Sequence, residues 1–171
     1  MKSFLFVLLC MVNYCNWCIA QSPEVLSPEQ EAISKLNFLV GDWAGPGVSY
    51  ASDGTKADYY DTEYVRFDLG QKVLLINARG EKDGVVTYQL HTIIYYDKDA
   101  GHYWYTPYSG GQPRRFLCHL MDKQFLCKNE AADFRLTFKR KADGSWNEFG
   151  ERLDNGLWKK TFETILLPVT K

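Results

Sequence analysis

From Trp43 to Val169 the chain alternates segments of strand length with turn signals, and no helical period returns. Breaks fall at Asp53-Gly54, Gly70-Gln71, Asp83-Gly84, Asp97 to Gly101, Asp122-Lys123, Asp143-Gly144 and Asp154-Asn155-Gly156. Glycine, asparagine and aspartate are the residues that tolerate the positive φ of tight hairpins. Between the breaks lie about ten strands in simple hairpin order with no long crossover. Such a meander leaves two unpaired edges unless it closes on itself. The expected fold is therefore all-β, a roughly ten-stranded antiparallel up-and-down β-barrel with a lumen wide enough for a ligand. An open two-sheet sandwich of the same strands is the alternative.

Ahead of the strands, Ser27-Pro28-Glu29-Gln30 reads as a helix start. Ser27 caps, Pro28 suits the first helical position, and Gln30 reaches back to complete a capping box. Ile33, Leu36 and Val40 then share a face at helical spacing. A short N-terminal helix laid across one end of the barrel would use that face.

The first twenty residues have the form of a secretory signal peptide: Lys2, a short apolar run from Phe4 to Val12, and Cys18-Ile19-Ala20 as a small-x-small cleavage site. The run is too short to span a bilayer. The expectation is a secreted or periplasmic chain cleaved after Ala20, with residues 21–171 forming one barrel domain and no membrane span. One of the 20 basic residues, Lys2, lies in that leader, leaving 19 against 21 acidic ones without any block of like charge. That balance argues against a nucleic-acid partner.

Two cysteines, Cys118 and Cys127, lie beyond the leader. A two-residue turn at Asp122-Lys123 pairs Met121 with Gln124 and places Cys118 opposite Cys127 in a non-hydrogen-bonded pair, about 4.5 Å apart at Cα. A cross-strand disulfide is expected in an oxidising compartment.

The first strand opens with Gly41-Asp42-Trp43-Ala44-Gly45-Pro46-Gly47, a Gly-x-Trp-x-Gly-x-Gly run. Alternate glycines in a strand suit a sharp bend or a close backbone approach. The run resembles the opening of lipocalin-like (calycin-type) barrels, and the resemblance implies that Trp43 plugs the closed end. Glu63 to Ala78, Ile94-Tyr95-Tyr96-Asp97, Gly144 to Glu151 and Trp158 to Glu163 are similar to a little-characterised family of exported bacterial proteins with such barrels, which has no settled activity to lend. More distantly, Gly41 to Gly47 and Glu63 to Phe67 resemble nitrobindin-type haem barrels. There a histidine near the chain's end holds the iron, but residues 157–171 contain none, and no cofactor is expected.

Pairing through the Gly70-Gln71 turn, read as type II′, puts Glu63, Val65, Phe67, Leu74 and Ile76 on one face, taken as the lumen. Glu63 becomes a carboxylate in an apolar wall, with a raised pKa unless a cation or tyrosine compensates. Its structural alternative is a carboxylate held by Lys, Arg or Tyr across the lumen. Arg79 falls on the opposite face and joins Glu63 only if a bulge near Gly80 turns it inward. A two-residue Asn155-Gly156 turn would set Glu148 and Glu163 directly opposite as paired carboxylates; the preferred three-residue Asp154-Asn155-Gly156 loop points Glu148 inward near Lys160, on the face of Trp158 and Phe162, while Glu163 faces solvent.

Tyrosines and tryptophans crowd both faces of three strands, so spacing leaves open which face lines the lumen. His91, Tyr95, Trp104 and Tyr108, with Ile93, form the best shared-face cluster and serve as the expected wall. His91, His102 and His119 lie on different strands without metal-ligand spacing, and no Gly-x-Ser-x-Gly elbow is present. The expected function is binding of a small apolar or amphipathic molecule without catalysis, through Glu63, Phe67, Ile76, Arg79, His91, Tyr95, Trp104, Tyr108 and Glu148. Two alternatives remain: an enzyme on the same barrel, of cyclase, dehydratase or decarboxylase type, and a protein-interaction module. A lumen acid with a strongly raised pKa beside a tyrosine favours the enzyme, and a lumen of apolar rings favours binding.

Overall fold

The computed structural model describes residues 25–169; the expected signal peptide lies outside them. Helix α1 (Pro28–Ser34) starts at the predicted box. The Gln30 amide N–H donates to Ser27 Oγ at 3.2 Å, and the Ser27 N–H donates to Gln30 Oε1 at 2.8 Å. Ala32 and Ile33 of α1, then Leu36 and Leu39 around a following 3₁₀ turn (Asn37–Leu39), are buried against one end of the barrel. Gln30 Nε2 donates to the Gly70 carbonyl, and the Tyr103 hydroxyl donates to the Ala32 carbonyl, each at 2.9 Å.

The strands are β1 (Gly41–Tyr50), β2 (Lys56–Asp68), β3 (Val73–Lys82), β4 (Val85–Asp97), β5 (His102–Ser109), β6 (Gln112–Pro113), β7 (Phe116–Met121), β8 (Gln124–Asn129), β9 (Phe134–Arg140), β10 (Trp146–Asp154) and β11 (Leu157–Pro168). Neighbours run β4-β3-β2-β1-β11-β10-β9-β8-β7-β5, and a β4–β5 pairing closes the ring. All pairings are antiparallel, and the two-residue β6 is an appendage of β5. The expected ten-stranded barrel with a helix at one end is the fold observed. Closure removes both edges of the sheet.

The first-strand glycines have two different jobs. At Gly45 a Cβ would lie 2.0 Å from the Ile165 carbonyl oxygen, so β1 and β11 approach there too closely for any side chain. At Gly47 it would meet the ring of Tyr59, directly opposite on β2, at 2.3 Å. Two more pairs repeat that second arrangement: Tyr88 lies over Gly80, and Phe162 over Gly150. A ring laid over a cross-strand glycine covers backbone that would otherwise be bare.

The end under α1 is filled. Trp43 Nε1 donates to the Leu39 carbonyl at 2.8 Å, and its ring meets Trp146 edge-on with centroids 5.7 Å apart. The Arg140 guanidinium lies over the Trp43 ring at 4.4 Å. Phe125, Phe138, Val65, Leu74, Ile94 and Leu166 complete this plug, all buried. Cys118 and Cys127 sit opposite one another, as the Asp122-Lys123 turn predicts, and are joined by a disulfide with Cα atoms 4.0 Å apart.

Two turns depart from expectation. Leu69, Gly70 and Gln71 all have positive φ, and the Lys72 N–H donates to the Asp68 carbonyl at 3.1 Å. The connection is thus a four-residue loop, not a type II′ turn, although Phe67 still pairs with Leu74. The β10–β11 connection is a two-residue Asn155-Gly156 turn, with φ of 50° and 78°, as a type I′ turn requires. The extra residue of the register is Thr161, a bulge opposite Gly150 and Glu151. Glu148 and Phe162 therefore face inward as expected. Trp158, beyond the bulge, turns outward, where the Arg135 guanidinium stacks on it at 4.2 Å. Lys160 also turns outward and pairs with Glu163 at 2.7 Å on the outer wall, so it is not the neighbour of Glu148.

Two stability measurements follow. Gly45→Ala should cost about 1–3 kcal/mol because a backbone oxygen must move, whereas Gly47→Ala should cost less because a tyrosine ring can swing aside; chemical denaturation of both variants reads the difference. In protein lacking residues 1–20, thiol titration under denaturing, non-reducing conditions should find no free thiol, and reduction should lower stability by roughly 2–3 kcal/mol.

Candidate functional site

The inward residues of β2, read from the plug toward the open end, are Glu63, Asp61 and Tyr59, and their counterpart on β10 is Glu148. Between β2 and β11 stands β1, whose inward positions at this level are Gly45 and Gly47. No β1 side chain comes between the two acid-bearing walls. Asp61, Glu63 and Glu148 are 2 %, 3 % and 8 % exposed. The Glu63 and Glu148 carboxyls are within hydrogen-bonding reach of each other, and the Tyr88 hydroxyl is within reach of Asp61. The Tyr59 hydroxyl bonds Thr164 Oγ1 at 2.7 Å. Asp61 Oδ1 and Glu148 Oε2 have no partner.

Glu63, Glu148, Tyr59 and Tyr88 line a cavity of about 480 Å³ that opens away from α1, with Asp61 close behind its wall. Ile76, Ala78, Leu90 and Phe162 give it apolar walls, with the rings of Tyr59, Tyr88 and Tyr105 between them. Asp58, Lys82 and Arg114 stand exposed at its rim. A concave, largely apolar site with a few convergent polar groups is the usual form of a small-molecule pocket.

Among the described residues, no lysine or arginine forms an ion pair with any of the three acids. Burial, then the charges of Glu148 and Asp61, pushes the Glu63 carboxyl well above the usual carboxylate range. Burial and the Asp61 charge push Glu148 up to about 8. Burial pushes Asp61 up to about 6, against the opposing hydrogen bond from Tyr88. Burial and these same acids hold the Tyr59 and Tyr88 hydroxyls well above the ordinary phenol range. At neutral pH the Glu63–Glu148 pair retains protons and titrates as a unit, while Asp61 carries most of the charge.

Of the residues expected to line the lumen, Glu63, Ile76 and Glu148 reach this cavity. Phe67 faces inward but packs near the plug, opposite Leu74. Arg79, His91, Tyr95, Trp104 and Tyr108 are on the outer wall, a correction to the face chosen for β4 and β5. Strand phase decides it: Thr92 and Ile94 on β4 are fully buried, and Tyr103 and Tyr105 on β5 are buried, which leaves the alternating set outside. A bulge does occur beside Gly80, but its extra residue is Thr87 on β4, so Arg79 stays outside and bonds Glu81. Arg79, His91 and Tyr108 border a shallow outer depression. Tyr95 accepts from Arg115 Nη2 at 2.6 Å, and that guanidinium stacks on Trp104 at 3.6 Å.

The polar and aromatic-hydroxyl residues of the site absent from the sequence expectation include Asp61, Tyr59, Tyr88 and Tyr105, and the apolar wall residues Ala78, Leu90 and Phe162 are absent from it too. For Asp61 and Tyr59 the signal was present, since both share the strand phase of Glu63. Tyr88 could be found from its position opposite Gly80, since that pairing leaves room for a ring.

Comparison with known proteins bears on the fold. No family model matches the chain, and no curated protein matches it. Among solved structures, the crystal structure of Rv2717c from M. tuberculosis superposes with a TM-score of 0.60 at 12 % identity, covering 85 % of this chain and 100 % of that one. At that identity the likeness is one of fold.

The raised acids set the sign of a pH effect. A carboxyl whose pKa is higher in the fold than its ordinary 4.5 binds more protons folded than unfolded. Stability is then greatest below that window and falls as pH rises through it. Between about pH 5 and about pH 9 the unmutated protein should lose Tm by several degrees more than Glu148→Gln, taking about 2–4 °C per kcal/mol. Parallel Tm profiles for the two proteins would contradict the burial of an unpaired acid.

Proposed function

We propose that this protein is exported and binds a small apolar or amphipathic molecule in the barrel's lumen. The observation that carries the reading is the cavity itself: apolar walls and tyrosine rings enclosing about 480 Å³ above the buried acids Glu63 and Glu148, open at one end and plugged at the other. Export is supported by the leader-like form of residues 1–20 and by the buried Cys118–Cys127 disulfide, which suits an oxidising compartment. Among the described residues, no helix is long and apolar enough to cross a membrane. Residues 21–171 would then be the mature protein.

Native mass spectrometry of protein purified from its exporting host tests this. An added mass of a few hundred daltons that is lost on denaturation is expected, and Ile76→Trp, which puts a ring into the cavity, should lower the bound fraction. An unchanged bound fraction in that variant would place the ligand elsewhere.

One observation favours a second reading. Glu63 and Glu148 are acids with raised pKa values in a pocket that also holds tyrosines, the environment that equips a carboxyl to donate a proton near neutral pH. In that reading Glu148, Glu63 and Tyr88 act on a bound substrate. Tyr95 and Arg79, expected as part of such a group, are outside the barrel. A bound mass that is chemically altered on incubation with unmutated protein, but not with Glu148→Gln, would support it.

A further inference from the structure

The lumen and the outer wall treat acids differently. Outside, Glu81 pairs with Arg79, Glu151 with Arg135, Asp154 with Lys159 and Glu163 with Lys160. Inside, Asp61, Glu63 and Glu148 meet one another and tyrosines, and two of their oxygens, Asp61 Oδ1 and Glu148 Oε2, meet nothing. A buried acid without a counter-charge costs stability, and here three are gathered where a pocket opens. The complement that this arrangement lacks is a compact cation with several N–H donors.

We propose that the lumen's ligand is an amine carried on an apolar body, its ammonium group seated between Glu63 and Glu148 and its apolar part along Ile76, Leu90 and Phe162. The proposal rests on the lumen-binding reading above and adds the chemical class. An ammonium brings three donors and no acceptor, so it satisfies the free Glu148 oxygen and replaces the acid–acid contact. Tyr59, Tyr88 and Tyr105 present rings around the same space, where a desolvated cation gains further from the ring faces. A carboxylate ligand would add a fourth acid to the cluster, and an alcohol has one donor for several acceptors. A metal ion is a poorer fit, because among the described residues no group of three acids, histidines or cysteines has the arrangement to hold one.

Charge balance gives the proposal a signature. The ammonium stabilises the ionised form of the acids it touches, so a proton held by the Glu63–Glu148 pair leaves to the buffer as the ligand enters. The other titratable or charged groups facing the cavity are Tyr59 on β2, Tyr88 on β4, Tyr105 on β5, and Asp58, Lys82 and Arg114 at the rim, with Asp61 on β2 close behind the wall. The tyrosines stay protonated throughout. Lys82 and Arg114, both exposed, pair with none of the three acids, so the pair and Asp61 are the groups whose proton occupancy changes.

The test is calorimetric titration of the unmutated protein with decylamine, decanol and decanoate, each below its micelle-forming concentration. It is run at neutral pH in two buffers of different ionisation enthalpy. Decylamine should bind at least about tenfold more tightly than decanol, and decanoate most weakly, with proton release on amine binding alone; tenfold corresponds to about 1.4 kcal/mol. Its affinity should rise with pH between about 5 and about 8 as the acids ionise while the amine stays charged. Glu148→Gln should weaken decylamine by about tenfold and leave decanol within about threefold; Glu63→Gln is the second variant should that one fail to fold. If decanol or decanoate binds as well as the amine, the amine assignment is wrong and the lumen-binding reading stands. If none of the three binds, both fall.

Discussion

A closed ten-stranded sheet encloses space that its inward side chains must fill, and the distribution of that filling governs the rest of this molecule. At the α1 end the inward positions carry Trp43, Trp146, Phe125, Phe138 and Ile94, and the space is taken up by branched chains and by rings packed edge-on or tilted against one another. Toward the other end the inward positions include Gly45, Gly47, Gly80 and Gly150. Three of these have an aromatic ring from the neighbouring strand laid over them. A ring held flat against a wall covers backbone without crossing the lumen. The same four glycines thus give the barrel its closure at β1–β11 and its cavity.

Much of this is legible in the sequence wherever the deciding chemistry is local. The Asp122-Lys123 turn dictates the pairing of Cys118 with Cys127, because a two-residue hairpin leaves one register. The capping box at Ser27 and Gln30 marks the helix for the same reason, its partners being three residues apart. Where expectation and fold part company, the competing signals are of equal strength. On β4, His91, Ile93 and Tyr95 are as apolar as Thr92, Ile94 and Tyr96, and tyrosine is content on either face of a strand. Only the neighbouring strands choose between the two phases. The β10–β11 hairpin is ambiguous in a different way. A bulge at the turn and a bulge at Thr161 each move the register by one residue, in opposite senses, so Glu148 and Phe162 come out inward in both cases, with Glu148 opposite Thr164 in the fold. They differ for Trp158 and Lys160, which lie between the two possible bulges.

The acids of the lumen follow from alternation rather than from any shortage of cations. Strand β2 carries Asp61 and Glu63 on the phase that also carries Val65 and Phe67, and β10 carries Glu148 on the phase of Trp146. Lys82 and Arg140, on the inward phase, lie at the cavity rim and over the Trp43 ring, while Arg79, Arg135 and Lys160 on the adjoining strands fall on the opposite phase and pair with Glu81, Glu151 and Glu163 outside. Moving one of those cations inward would need a one-residue slip, which would also turn the plug residues of that strand to solvent. The barrel's stability and the unpaired state of its acids are therefore tied together.

Asp61 matters to this cluster although it lies behind the cavity wall. It is the acid with the smallest upward shift, and the nearby Tyr88 hydroxyl favours its ionised form. Its charge in turn raises both Glu63 and Glu148. A neutral Asp61 would let the glutamate pair lose its proton more easily at the same pH. The glycine at position 80 makes this possible, since a Cβ there would lie 2.2 Å from the Tyr88 ring. A residue with no side chain, on a strand that carries none of the three acids, thereby sets how tightly the other two hold their protons.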